Sequence, residues 1–198
     1  MINTVFFDWG GVIAEDPGDD FLKEILHSCG ATPEQMEQIS RVYMQKFMRG
    51  EFTESDYWNA VKSHYGYDIP MSTESLFLSW HGTETNNDVM ALVRDVQASG
   101  RAAGLLSNVI QPAYDVLSEA GVYDPFDVVI TSCTEGVAKP EPEIFQLALE
   151  RAKTTASESL FIDDKLENIE VAQQLGFKTI LAENPAQFIA EARKLLAL

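Results

Sequence analysis

The sequence predicts an α/β fold, a parallel sheet covered by helices on both faces with a small helical subdomain set into it. Short β-branched or apolar runs recur as TVFF (4–7), AGLLS (103–107), DVVIT (127–131), SLFID (159–163) and KTILA (178–182). The segments between the later runs carry apolar residues at helical spacing, and such alternation implies parallel strands joined by crossover helices. Between the first two runs lies an interruption of about 70 residues with no strand-like stretch, too long for a structureless connection.

The first run ends abruptly in Asp8, followed by Gly10 and Gly11. A carboxylate at the tip of a buried strand is costly unless a cation or donors use it, and the two glycines let backbone amides approach it. In the interruption, helical patterns fall near 19–29, 33–49, 54–65 and 73–81. Thr32-Pro33-Glu34-Gln35 reads as a capping box with proline at the first helical position, and Thr53 as a second N-cap. Linkers rich in Gly, Pro, Asp, Asn and Thr are expected near 14–18 and 82–87. After them, Asn87 is expected to cap a helix over 88–99 that ends at Gly100. Pro112 opens a helix over 112–120 closed by Gly121, and helices over 141–152 and 166–175 follow, the second ending at Gly176. The expectation is a Rossmann-like sheet domain made of 1–14 and 86–198, with 15–85 as an inserted helical cap.

At 198 residues, 45% hydrophobic and 10% aromatic, the chain has the composition of an ordinary globular protein with one sizeable core. No segment approaches the ~20 apolar residues of a membrane helix. The N-terminus shows no basic region followed by an apolar stretch, so no secretory leader is expected. Cys29 and Cys133 lie far apart without metal-ligand spacing, which fits reduced thiols in a cytoplasmic protein, monomeric or homodimeric. A net charge of −17 argues against nucleic acid or an anionic membrane as partner. An anionic small molecule would therefore need local compensation by a lysine, an arginine or a divalent cation.

In an open parallel sheet, ligands bind outside the carboxyl ends of the strands. Asp8 follows the first strand, Ser107-Asn108 the second, Lys139 the third after a few residues, and Asp163-Asp164 the fourth. Singly, each has a plain structural reading: Ser107 or Asp163-Asp164 as a helix cap, Lys139 as a solvated side chain. Together they place carboxylates, a hydroxyl and a lysine on one edge. Asp8 and Asp164 can hold Mg²⁺, which favours carboxylate oxygens, waters and a phosphate oxygen. A carboxylate can also attack phosphorus, while Ser107 and Lys139 neutralise its non-bridging oxygens.

These residues resemble the four motifs of the haloacid dehalogenase superfamily, in order and at the strand ends: FFDWGGV, LLSN, KPEPEIF and FIDDKLEN. The resemblance covers essentially the whole chain, and the helical insertion sits where that family carries its cap. It implies Asp8 as nucleophile and Mg²⁺ ligand, Lys139 as a catalytic and phosphate-binding residue, and Ser107 as phosphate-binding. Asp164 and Asp163 become the metal carboxylates, with Asp164 the direct ligand; Asn108 joins the phosphate-binding set in a supporting position, and Asn168 is a further supporting position. Gly11 and Arg49 are added as contacts to the substrate. FMRGEFTESDYW further resembles the cap of sugar-phosphate phosphatases in the superfamily.

One departure stands out. The family's phosphatases usually read Asp-x-Asp in the first motif, the second Asp protonating the leaving group. Here that position is Gly10, whose carbonyl can ligate a metal but which has no proton to give. The leading expectation is a Mg²⁺-dependent phosphatase acting on a small phosphorylated metabolite, sugar phosphates included. The alternatives are a 2-haloacid dehalogenase, disfavoured by the Asp163-Asp164 pair, and a non-catalytic member binding a phosphorylated ligand or a protein. In the cap, Phe47, Arg49, Tyr57, Trp58, His64 and Trp80 are the aromatic and basic candidates for substrate contact. At helical spacing most read as cap core, with Arg49, beside Gly50 at a helix end, the exception.

Overall fold

The computed structural model describes residues 1–15, 26–67 and 84–198. Five parallel strands, β1 (Thr4–Phe7), β2 (Ala102–Ser107), β3 (Val128–Thr131), β4 (Ser159–Asp163) and β5 (Lys178–Leu181), form one sheet in the order β3-β2-β1-β4-β5. The chain winds outward from β1 in both directions, and a switch of direction of this kind opens a crevice at the strands' carboxyl ends.

Alternation along the strands sorts two cores. Val5, Phe7, Leu105, Leu160 and Ile162 face one side, where they cluster with Val89, Leu92, Val93, Phe188 and Ala192. Phe6, Leu106, Ile130 and Phe161 face the other, clustering with Ile144, Phe145, Ala148, Ile169 and Ala172. A period of two in side-chain direction thus buries both faces of each central strand.

Between β1 and β2, α1 (Pro33–Ile39) runs into a π-helical stretch (Ser40–Met44) and then α2 (Gln45–Met48), where an unbroken helix over 33–49 was expected. Thr32 and Gln35 form the expected capping box. Thr53 caps α3 (Glu54–Tyr65) through a second box with Asp56. Of the expected helix over 19–29, residues 26–28 are helical, and 16–25 lie outside the described residues. The expected helix over 73–81, with Trp80, lies wholly outside them.

In the sheet domain, α4 (Asn87–Ala98) is capped by Asn86 and not by Asn87. Two successive asparagines compete for the position, and the Asn86 side chain accepts from the Asp88 and Val89 amides. Then come α5 (Gln111–Glu119), α6 (Ser132–Glu135), α7 (Pro142–Ala152) and α8 (Leu166–Gln174). Two helices lie outside the predicted set: α6, four residues long, and α9 (Pro185–Leu196). The signal for α9 was present: Asn184 as cap, Pro185 next, and Phe188, Ala192 and Leu196 buried at a spacing of four.

Candidate active site

The register of β1 against β4 pairs Phe7 with Ile162, so the next residues, Asp8 and Asp163, emerge side by side. On the other flank, β2 pairs Phe7 with Leu105 and ends at Ser107, which is buried opposite Thr131. The carboxyl edge of the sheet thereby gathers what the sequence reading placed there.

Lys139 enters this edge from the loop after α6 and is 2% exposed. Its Nζ lies 2.8 Å from Asp8 Oδ1 and 2.6 Å from Asp163 Oδ2, and 5.4 Å from the centre of the Phe161 ring. Asp163 is fully buried, and both of its oxygens are taken up. Asn168 Nδ2 stands 3.0 Å from each, and the Lys165 amide donates to Oδ1 at 2.8 Å. Asn108 contacts the lysine's backbone: Nδ2 donates to the Lys139 carbonyl and Oδ1 accepts from its N–H, both at 2.8 Å.

The segment after Asp8 folds back on itself. The Trp9 amide donates to Asp8 Oδ1 at 2.7 Å, and the Trp9 carbonyl accepts from the Ile13 and Ala14 amides at 2.9 Å each. Gly10 bridges Ala14 within this turn. Gly11 has φ +73°, and a Cβ there would lie 2.5 Å from the Asp164 carboxyl carbon. Only glycine lets the turn and the carboxylate approach so closely.

Among the described residues, Asp8, Asp163 and Asp164 each bring an oxygen within 4.8 Å of the others, and the Lys139 ammonium lies between Asp8 and Asp163. Burial pushes the Asp8 carboxyl up to about 7; Lys139 pulls it down and Asp163 adds repulsion. For Asp163, burial also raises the pKa, but the Lys139 charge and the surrounding hydrogen bonds outweigh it and hold the group below its ordinary value. Burial disfavours the Lys139 charge too, yet Asp8 and Asp163 outweigh this and raise its pKa. Asp163 and Lys139 therefore form the ionised pair, while Asp8 lacks a full counter-charge. An all-oxygen donor set with excess negative charge fits a hard divalent cation such as Mg²⁺.

Arg49 is paired with acidic side chains. Its Nε donates to Glu141 Oε1 at 2.9 Å, with Nη2 on the same oxygen, and Nη1 lies 3.8 Å from Glu51. Next to it Gly50, at φ +69°, lies so close to α6 that a Cβ would meet the Cys133 carbonyl oxygen at 2.5 Å. The Arg49 guanidinium, expected to contact substrate, is paired with Glu141, two residues after Lys139. Phe47, Tyr57 and Trp58 are fully or almost fully buried, in one cluster with Leu26, Ile39, Val61 and Cys133. His64 Nδ1 lies 3.1 Å from the Tyr43 hydroxyl. Glu141 went unremarked in the sequence reading, although a charge between two prolines of KPEPEIF marked it.

With this geometry in place, comparison with known proteins is decisive at the family level. A family model described as a haloacid dehalogenase-like hydrolase matches residues 2–176. The chain belongs to that family. Among curated relatives, acyl-CoA dehydrogenase family member 10 of Mus musculus is 29% identical across 98% of this chain, which spans only 19% of the mouse protein's length. D-ribitol-5-phosphate phosphatase of Bacteroides thetaiotaomicron is 26% identical across 99% of both chains. Among solved structures, a HAD-like family hydrolase from Porphyromonas gingivalis superposes with a TM-score of 0.81 at 22% identity, covering 100% of this chain and 99% of that one. The HAD family enzyme bt-2542 from B. thetaiotaomicron, in complex with magnesium and inorganic phosphate, gives 0.72 at 22% identity, covering 95% and 99%. These likenesses extend over the sheet and the helices inserted after β1, so this HAD-like hydrolase shares the family's fold along its whole described length.

Proposed function

We propose that this HAD-like hydrolase is a Mg²⁺-dependent phosphatase that hydrolyses a small phosphorylated metabolite through a phosphorylated Asp8. The observation that carries the reading is Asp8 itself: a buried carboxylate 2.8 Å from Lys139 and clustered with Asp163 and Asp164. A nucleophile for phosphorus needs an oxygen that is anionic but screened from the substrate's charge, and this cluster supplies both conditions once a cation is added. In the first step an Asp8 oxygen bonds to phosphorus as the ester P–O bond breaks, and the leaving oxygen takes a proton from water. In the second, water attacks phosphorus, the Asp8–phosphorus bond breaks, and inorganic phosphate departs with Asp8 restored. Bound Mg²⁺ would lower the charge of the phosphoryl oxygens, with Asp8, Asp164 and the Gly10 carbonyl as its ligands. Lys139 and Ser107 would hold the remaining phosphoryl oxygens.

The named activity of the ribitol-5-phosphate phosphatase relative, full-length in both chains, supports a phosphorylated sugar or polyol as the substrate class. The magnesium and phosphate bound by the bt-2542 structure support the metal. Residues 15–85 would act as the cap over the crevice, with 1–14 and 86–198 as the catalytic domain. The test is hydrolysis of an aryl phosphate with and without Mg²⁺ by the wild type and by Asp8→Asn. Turnover that needs both Mg²⁺ and Asp8 is expected; turnover by Asp8→Asn near the wild-type rate rejects the mechanism. An amide in place of the carboxylate removes a buried charge, so the variant's stability should hold or rise.

A further inference from the structure

The geometry points to the Asn108 side chain as a positioning group that acts through Lys139; the inference rests on the proposed phosphatase reading and refines it. Among the described residues Lys139 is the cation that reaches both Asp8 and Asp163, so its placement bears on how the charge at the site is balanced. Its ammonium ends a long flexible side chain, which alone would leave the headgroup several rotamers to sample. The backbone that launches the side chain is pinned from a different strand. Asn108, one residue past β2, donates from Nδ2 to the Lys139 carbonyl and accepts at Oδ1 from the Lys139 N–H, each at 2.8 Å. One planar amide thus satisfies both backbone polar groups of the residue, a paired contact that fixes orientation as well as distance. Through it, the strand end bearing Ser107 and the loop bearing Lys139 become one unit, and the two groups expected to flank a phosphate are held in mutual register.

Asn108 has a neighbouring contact of purely structural kind, which serves as a control. Ser132 Oγ accepts from the Val109 amide at 3.0 Å and donates to the Val109 carbonyl at 3.2 Å. Ser132 fastens the same loop to α6 without reaching Lys139. If Asn108 only fastened the loop, the two residues would be interchangeable in effect.

The test uses the full chain with Mg²⁺ and orthovanadate as the probe, in Asn108→Ala, Ser132→Ala, Lys139→Ala and Asn108→Ala/Lys139→Ala, with crystal structures of Asn108→Ala and Asn108→Asp. Asn108→Ala should weaken orthovanadate by about tenfold or more, the usual scale for a residue that orients a ligand-contacting group. In the Lys139→Ala background, the same change should alter affinity by less than about twofold, because the residue it acts through is gone. Ser132→Ala should leave affinity unaltered. In the crystal of Asn108→Ala, Lys139 Nζ should lie beyond about 3.5 Å of Asp8 or Asp163. Asn108→Asp keeps the acceptor for the Lys139 N–H and loses the donor to its carbonyl, so its Nζ should move less. A loss of affinity that persists undiminished without Lys139 overturns the inference and makes Asn108 a direct ligand. An equal loss in Ser132→Ala, or an Nζ unmoved in Asn108→Ala, also overturns it. If the wild type binds no orthovanadate, the phosphatase reading falls, and the Nζ position in the two crystals still decides the role of Asn108.

Discussion

Gly11 brings its α-carbon so close to Asp164 that a Cβ would sit 2.5 Å from the carboxyl carbon and 2.6 Å from Oδ2. The turn after β1 and the end of β4 are therefore fitted to each other at a position where no side chain can stand. Gly11→Ala would also pay for its φ of +73°. Backbone strain of this sort costs about 1 kcal/mol or more, and the clash must push Asp164 or the turn aside. Gly11→Ala is expected to weaken Mg²⁺ binding and to cut hydrolysis more than it lowers the melting temperature. Calorimetric Mg²⁺ titration with thermal unfolding of the same samples checks this; intact metal affinity would mean that Asp164 is not a ligand.

Asp163 and Asp164 should separate by kind of damage. Both Asp163 oxygens are engaged by Lys139, Asn168 and the Lys165 amide inside a fully buried pocket. Unlike Asp8, Asp163 also accepts from Asn168 and the Lys165 amide, and each buried hydrogen bond to a charged group that is lost costs about 1.5–3 kcal/mol. Asp163→Asn should therefore be chiefly destabilising. Asp164→Asn should leave stability nearly intact and lower Mg²⁺ affinity further than Asp163→Asn does. Denaturant unfolding and metal titration of both variants read the two effects, and equal metal losses would remove the distinction.

The pH dependence follows from Asp8. Its carboxyl titrates at about 7 in the folded chain against 3.8 for an ordinary aspartate, with burial the largest cause. A raised folded pKa means the folded state holds the proton more tightly, so this stabilisation is full below 3.8 and is lost as pH rises through about 7. Metal-free protein should lose stability across that window. Asp163 has the opposite sign: its folded pKa lies below 3.8, so its contribution is present above that value and disappears only in stronger acid. Magnesium must displace the Asp8 proton, so its apparent affinity should fall towards tenfold per unit as pH drops below about 7. Affinity that is flat between about pH 6 and about pH 8 would mean that no ligand of the metal titrates in that window, which overturns this linkage.

How much of this could be read in advance depended on how local the signal was. Asp8, Lys139 and Asp163-Asp164 each follow a strand whose apolar run is visible in the chain, and the rule for open parallel sheets then brings them together. Thr32 and Thr53 announced their helices because a capping box is complete within four residues. The contacts of Asn108 with Lys139 and of Arg49 with Glu141 span 31 and 92 residues. No periodicity encodes such a pairing, so Arg49 could be marked as a cation near a helix end but not assigned its partner. The choice between Asn86 and Asn87 as cap turned on a single hydrogen-bonding geometry, which composition leaves open.

Gly10 carries the last prediction. A general acid is typically worth ~10²–10⁴-fold, and its benefit grows as the leaving group becomes poorer. With glycine here, the chain should favour substrates whose leaving oxygen needs little protonation, such as aryl phosphates, acyl phosphates and anomeric sugar 1-phosphates, over simple alkyl phosphates. Unlike Gly11, Gly10 is not among the described glycines with positive φ. Gly10→Asp would also add a carboxylate beside three others, which should tighten Mg²⁺ while making the metal-free protein less stable. The decisive quantity is the ratio of kcat/KM for an alkyl phosphate to that for an aryl phosphate, measured in both proteins. Gly10→Asp should raise that ratio, because the new acid helps the poorer leaving group more. A wild type that already hydrolyses alkyl phosphates as well as aryl ones, with a ratio unmoved by the substitution, would mean that another residue, with Glu15 of the same segment the first to replace, delivers the proton.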